Sequence, residues 1–330
     1  MANLEPEEVY IDPQVAPILE QMKQRMAERE PFGTVAPELM RQRFNQDIAS
    51  WNKNPPHVAR VVDGHIEGPG GKLNTRFYDP LNNGDPAPCL IHFHGGGWIV
   101  GDYKTNDRTM RLLANRSGVS ILSADYRLAP EHKFPAGLDD CVYVTRYVHE
   151  HADELGIDAT RLGICGDSAG GNLALASAMT LRESGENWLK YLLLVYPALS
   201  PDADQWSHRV LGNGDYGLGN MAMEYFWSAY LKDESARTNP LAVPLLGTLS
   251  GLPPTTIVSA GLDALQSNSF ALEEKLKDAK VEHTHRFYPG MIHGFFSMTN
   301  FLDVAQTAVN EAAADVALYL GGSGCGVDNR

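Results

Sequence analysis

The segment Gly166-Asp167-Ser168-Ala169-Gly170 constrains this chain more than any other part of it. It follows an apolar run, Leu162 to Cys165, and opens a helix of small residues, Gly171 to Leu181. Reversing from strand to helix in so few residues strains the backbone, and glycines let the two elements pass where a Cβ would collide. The serine hydroxyl is thereby held up and exposed. Behind it, the first turn of the helix offers unpaired N–H groups and positive potential to a nascent oxyanion. G-x-S-x-G alone arises by chance in many chains; the strand-turn-helix setting gives it meaning.

Such an elbow needs a sheet to stand on. From about residue 58, β-rich runs alternate with helical periods. That rhythm predicts the α/β class, with a mostly parallel sheet flanked by helices on both faces. Eight runs read as strands: Val58 to Glu67, Leu73 to Tyr78, Cys89 to Phe93, Val119 to Ala124, Leu162 to Cys165, Tyr191 to Tyr196, Thr255 to Ser259 and Glu282 to Tyr288. Pro135 opens a helix with the apolar face Leu138, Cys141, Val142, Val148. Leu302 to Leu320 repeats Leu302, Ala305, Val309, Ala312, Val316 before Gly321 and Gly322 stop it. Both helices are expected to pack on the sheet.

With 330 residues, 43% of them hydrophobic, one catalytic core with a decoration is the default. Two stretches break the αβ rhythm: residues 1–50, polar and helix-prone, and residues 201–239. They are expected to form a helical cap on a core of residues 51–200 and 240–320, with 321–330 as a Gly-rich flexible tail. The 201–239 insert carries Trp206, Met221, Phe226 and Trp227 among other large apolar side chains, more than a surface excursion needs. Docking of the cap on the core accounts for at least about half of them. The rest are expected to wall a substrate site.

Lys and Arg number 27 against 41 Asp and Glu, a net charge of −14, so nucleic acid and anionic membrane surfaces are excluded as partners. The acidic start MANLEPEEVYIDP is not a secretory signal, and no run reaches the length of a membrane span. Cys89, Cys141, Cys165 and Cys325 stand at unrelated spacings, three of them in apolar runs, which suits reduced core thiols. A cytoplasmic location follows.

His94-Gly95-Gly96-Gly97-Trp98 directly follows the strand Cys89 to Phe93. Its consecutive glycines leave backbone N–H groups unshielded, so they can approach a ligand oxygen; a plain turn would use glycines too. With the N–H of Ala169, two or three donors would converge. A serine hydroxyl needs a base to take its proton, and partners that follow an elbow of this kind come in the order acid, then histidine. His283 and His285 lie two apart within a strand and read as strand surface. His293 instead follows a strand's end in Tyr288-Pro289-Gly290-Met291-Ile292-His293-Gly294, a loop able to carry an imidazole to the elbow. Asp263 likewise leaves a strand end through Ala260-Gly261-Leu262, and it is also placed to cap the helix Leu265 to Lys277. Ser168 is then the nucleophile, His293 the base and Asp263 the acid that orients it, in a two-step acyl transfer that needs no metal or organic cofactor.

Four motifs carry a resemblance: His94 to Gly97, Asp125-Tyr126-Arg127-Leu128-Ala129-Pro130-Glu131, Gly166 to Leu173, and His293-Gly294-Phe295. Over about residues 55–320 the chain resembles the hormone-sensitive-lipase-like family of microbial carboxylesterases. The resemblance implies an α/β-hydrolase fold with a helical cap, and a small-molecule ester substrate with a short or medium acyl chain. It implies that Gly96, Gly97 and Ala169 supply the oxyanion N–H groups. Dimers are common among similar esterases, so a homodimer stays open. Trp98 and Tyr126 join the expected substrate-binding residues. The family's usual D-P-L-R-D is here Asp263-Ala264-Leu265-Gln266-Ser267, keeping only the acid and the leucine. Trp98 stands where Phe is frequent and is similar to the HGG-x-W loop of formamidases, which keeps an amide substrate open. A non-catalytic receptor on this fold is the remaining alternative; in the related plant gibberellin receptors the histidine is replaced, and here His293 is in place.

Two further patterns read as decoys. Gly212-Asn213-Gly214-Asp215-Tyr216-Gly217 satisfies G-x-G-x-x-G but lacks the preceding buried strand of a nucleotide site. His92 and His94 form an H-x-H pair without the carboxylate or cysteine cluster a metal site needs.

Overall fold

A computed structural model of the chain describes residues 10–30 and 33–321. Along the run Leu189–Val195, Tyr191, Leu193 and Val195 enter one hydrophobic core while Leu192 and Leu194 enter another. Period-two alternation of apolar residues on both faces is what a strand buried between two helical layers requires. The same partition repeats in the central strands of an eight-stranded sheet: β1 (Arg60–Gly68), β2 (Gly71–Asp79), β3 (Ala87–Phe93), β4 (Ser120–Ala124), β5 (Ile157–Asp167), β6 (Leu189–Val195), β7 (Thr255–Leu262) and β8 (His283–Ile292), of which β1 is largely exposed. The spatial order is β1-β2-β4-β3-β5-β6-β7-β8. β2 runs antiparallel to β1 and β4, and the other neighbours are parallel.

The helices of the described residues are α1 (Ala16–Ala27), α2 (Pro37–Ile48), α3 (Asp107–Ser117), α4 (Ala136–Glu150), the single turn α5 (Ala152–Leu155), α6 (Ala169–Glu183), α7 (Trp206–Leu211), α8 (Asn220–Tyr230), α9 (Gln266–Asp278) and α10 (Asp303–Val316). α4, α6 and α9 bury Leu138, Leu173, Leu175, Leu272 and Leu276 on one face of the sheet. α3 and α10 bury Leu113, Ala305, Val309, Ala312 and Val316 on the other. Burying one such leucine or valine stabilises the fold by about 1.5–3 kcal/mol. α10 ends at Val316 and passes into a π turn, Ala317–Gly321, rather than running as α-helix to Leu320. Residues 322–330, most of the expected tail and with them Cys325, lie outside the described residues.

Several strands are longer than the sequence pattern indicates, and at β7 and β8 the extra length places the site. β7 continues through Gly261 to Leu262, and β8 continues through Pro289 and Gly290 to Ile292, where a loop was expected. Pro289 is tolerated because β8 is the edge of the sheet, where a missing N–H breaks no ladder. At Gly261 an added Cβ would lie 1.9 Å from the Pro289 carbonyl oxygen, so only glycine lets the two strand ends close. Leu262 and Ile292 are then register partners, and the next residue on each chain is Asp263 and His293.

α1, α2, α7 and α8 lie outside this αβα core. α2 is pinned to it by Arg41, which donates to the carbonyl oxygens of Ile99 at 2.8 Å and Ala129 at 3.1 Å and forks onto Glu131. No helix among the described residues is long and apolar enough to cross a membrane.

Candidate active site

β5 delivers the elbow. Ser168 has φ +54° and ψ −117°, a region that bulky residues avoid, and its backbone is held there from three sides. Its N–H donates to Val195 O at 2.9 Å, and its carbonyl accepts from Ala198 N and Asn172 N, each at 3.1 Å. α6 starts at once with Ala169, and Gly170 passes so close to β3 that a Cβ there would sit 2.0 Å from the Phe93 carbonyl oxygen. That backbone cannot yield without moving the sheet. Gly170→Ala is therefore expected to cost stability by at least the 1–3 kcal/mol typical of overpacking. Thermal unfolding with circular dichroism would show it, and an unchanged midpoint would mean that the elbow is looser than its geometry requires.

His293 Nε2 lies 2.9 Å from Ser168 Oγ, and His293 Nδ1 lies 2.7 Å from Asp263 Oδ2. With Nδ1–H donating to the carboxylate, Nε2 is left to accept the serine proton. Asp263 is 1% exposed, and its other oxygen accepts from Leu265 N at 2.8 Å, so one carboxylate serves both the turn into α9 and the imidazole. The Tyr196 ring packs on the imidazole with centroids 4.6 Å apart. Burial pushes the Tyr196 hydroxyl well above its ordinary value, so this neighbour stays neutral.

The glycine loop leaves the end of β3 beside the elbow. Gly96 and Gly97 have φ of +120° and +58°, and Trp98 follows at +61°. The Asp125–Glu131 segment braces the loop from behind. Tyr126 Oη donates to His94 O at 2.8 Å, and Ala129 N donates to Trp98 O at the same distance. Among the described residues, the N–H groups of Gly96, Gly97 and Ala169 have no protein acceptor.

Above the serine lies a cavity of about 260 Å³, lined by the glycine loop, Asp167, Ser168, Tyr196 and His293 below and by Met22, Phe44, Leu218, Met223 and Phe226 above. Of the expected wall residues, Trp98 and Phe226 border it. The other four stand elsewhere, each for a packing reason. Tyr126 is buried behind the loop, stacked on His94 with centroids 4.5 Å apart. Trp227 is 1% exposed and packs on Trp98, docking α8 on the core. Trp206 is half-buried at the start of α7, outside the cavity. Met221 is 81% exposed and borders a neighbouring cleft between α1, α2 and α8. Met22, Phe44 and Trp51, from the N-terminal helices and the turn after them, border the cavity without having been singled out in the sequence. Only the position of Met22 and Phe44 in a helix-prone, cap-like segment pointed towards those two, and Trp51 fell just outside it.

The other histidines separate clearly. His92 is buried, with Nδ1 2.8 Å from Ser123 Oγ, and His94 Nδ1 lies 2.7 Å from Gly95 O. His285 differs from the strand-surface expectation. α9 covers it, and it bridges Ser259 Oγ at 2.6 Å and Glu273 at 2.7 Å. That chain copies the connectivity of the site, yet Ser259 is fully buried and no substrate can reach it. The G-x-G-x-x-G stretch is the turn between α7 and α8, with no strand before it.

The profile of the α/β hydrolase fold family matches residues 90–297. The chain is 31% identical over 278 residues to an acetyl esterase of Salmonella agona, covering 84% of this chain and 85% of that one. Among solved structures it is similar to an ester-hydrolase from the metagenome of Lake Arreo, with 36% identity, a TM-score of 0.90 and coverage of 94% and 99%. It is also similar to a hyperthermophilic esterase of the archaeon Pyrobaculum calidifontis, with 32% identity, a TM-score of 0.88 and coverage of 94% and 98%. Family match, fold and relatives agree, and the chain belongs to the α/β-hydrolase family, in its hormone-sensitive-lipase-like branch of carboxylic ester hydrolases.

Proposed function

We propose that the protein hydrolyses carboxylic esters with short to medium acyl chains through a covalent acyl-serine. The observation that carries the reading is the continuous chain Ser168–His293–Asp263, at 2.9 Å and 2.7 Å, on the floor of an apolar cavity. Ser168 Oγ attacks the ester carbonyl while His293 Nε2 takes its proton, and the same imidazolium then protonates the departing alcohol. Water, deprotonated by His293, attacks the acyl-enzyme and releases the acid. Asp263 holds the tautomer and stabilises the imidazolium. The N–H groups of Gly96, Gly97 and Ala169 receive the oxyanion, which supplies the largest single share of the acceleration.

The size of the cavity supports the chain-length part of the reading. At about 260 Å³ it falls just below the range of about 300–1,000 Å³ found for sites that hold drug-sized ligands. α1, α2, α7 and α8 act as the cap that closes it. Trp98 gives no support to an amide substrate, because its ring is turned into the core, stacked on Tyr230 with centroids 4.3 Å apart. Free, buried Cys89, Cys141 and Cys165 suit a reducing compartment and support a cytoplasmic location.

The test is hydrolysis of p-nitrophenyl esters from acetate to palmitate, beside the matching anilides. Rates are expected to peak on short or medium chains and to fall towards palmitate, with the anilides far slower. A protein that is inert on every ester and cleaves the anilides would overturn the reading in favour of an amidase; one inert on both would point to a receptor.

A further inference from the structure

Asn106 occupies the N-cap position of α3, where an asparagine side chain ordinarily accepts an N–H of the first helical turn. Here it makes no such bond. The cap is supplied by another residue: Asn52 Oδ1 accepts from Arg108 N at 3.0 Å, and Asn52 Nδ2 donates to Thr105 O at 2.8 Å. The Asn106 amide is turned instead beneath the active site, 6% exposed, with both ends engaged. Nδ2 donates to Asp167 Oδ1 at 2.7 Å, and Oδ1 accepts from Ser297 Oγ at 3.1 Å.

These two partners belong to different catalytic loops. Asp167 immediately precedes Ser168, and the oxygen that Asn106 holds also accepts Gly95 N at 3.1 Å, the first glycine of the oxyanion loop. Ser297 closes the 3₁₀ turn Phe295–Ser297 that follows His293-Gly294, with its N–H on Gly294 O at 3.1 Å. One side chain therefore spans the elbow, the glycine loop and the turn behind the base. Asp167 borders the cavity, and a carboxylate there opposes the negative charge that grows on the substrate oxygen. Gathering Gly95 N, Asn106 Nδ2 and the more distant His92 Nε2, at 3.4 Å, on one oxygen offsets that charge.

We propose that Asn106 is a positioning residue for ester hydrolysis, fixing the glycine loop through Asp167 and the His293 turn through Ser297. The proposal rests on the serine mechanism given above. It explains why the helix cap comes from a distant asparagine while the local one is withheld from the helix.

The test compares wild type, Asn106→Ala, Asn106→Asp and Asn52→Ala on the best p-nitrophenyl ester, with binding of a trifluoromethyl ketone as a probe of the oxyanion site. Asn106→Ala is expected to lose about 10²-fold in kcat, the scale of a displacement near 1 Å, with KM unchanged and affinity for the ketone falling in step. Asn52→Ala loses the cap of α3, so it melts earlier than wild type while keeping kcat. Asn106→Asp preserves shape and fold but sets a second carboxyl against Asp167, beside His92 Nε2 at 3.4 Å and within electrostatic reach of Tyr126, Cys165 and Tyr196, all three kept neutral by burial. Its activity relative to wild type rises as pH falls and one proton comes to be shared. An Asn106→Ala enzyme with wild-type kcat, a loss confined to KM, or a pH-independent ratio for Asn106→Asp overturns the positioning role alone. A wild type that cleaves no ester overturns it together with the mechanism.

Discussion

Ser168→Ala is expected to lower ester turnover by about 10⁴-fold or more while leaving the protein folded. The loss is large because, among the described residues, the hydrogen-bond partner of His293 Nε2 is Ser168 Oγ at 2.9 Å. What survives in the variant is the oxyanion loop and the cavity, which retain substrate binding and a residual acceleration over water. The fold should tolerate the change, since the elbow is held by the Ser168 backbone, through Val195, Ala198 and Asn172, and not by its side chain. The molecule also contains its own control. Ser259, His285 and Glu273 repeat the same connectivity in a closed setting, so Ser259→Ala should retain full turnover. Rates of p-nitrophenol release and the melting temperature, measured on both variants, decide the matter. Activity retained by Ser168→Ala would remove the nucleophile from the elbow.

The sheet was legible because its central strands are buried on both faces and bounded by turn residues, a signal carried within each segment. Asp263 and His293, the proposed acid and base, were legible for a related reason: each follows a strand at the end of the sheet where the elbow stands. How they meet was not. Gly261 and Gly290 look like loop residues in the sequence, and Pro289 argues against a strand, whereas an edge position tolerates the proline and a close backbone approach requires the glycine at 261. Side-chain direction within the cap was equally hidden. Trp227 and Phe226 are adjacent on α8, yet one fills the core against Trp98 and the other faces the cavity, a difference set by how α8 docks. Asn106 escaped notice because an asparagine before a helix already has an ordinary explanation, and only the Asn52 contact removes it.

The altered segment after Asp263 bears on what the proposed acid must do. Where the usual D-P-L-R-D motif carries Arg and a second Asp, Gln266 Nε2 here ties back to Gly261 O at 2.8 Å, and Ser267 exchanges two hydrogen bonds with Ser207 of α7, each 3.1 Å long. The carboxylate itself faces two donors, Leu265 N on Oδ1 and His293 Nδ1 on Oδ2. Asp263→Asn keeps the shape and offers only one acceptor oxygen for these two positions. The backbone N–H of Leu265 cannot change its character, so the amide oxygen must turn to it and the NH₂ group must face the imidazole. The imidazole can change: Nδ1 becomes an acceptor, and the proton moves to Nε2, where it points at Ser168 and blocks proton abstraction. The expected result is a fall in kcat of about 10⁴-fold, close to that of Ser168→Ala, with KM and melting temperature little altered. Steady-state kinetics on the same ester checks it. A loss of only a few-fold would mean that the imidazole keeps its tautomer without the carboxylate, and that Asp263 serves chiefly as the turn residue of α9.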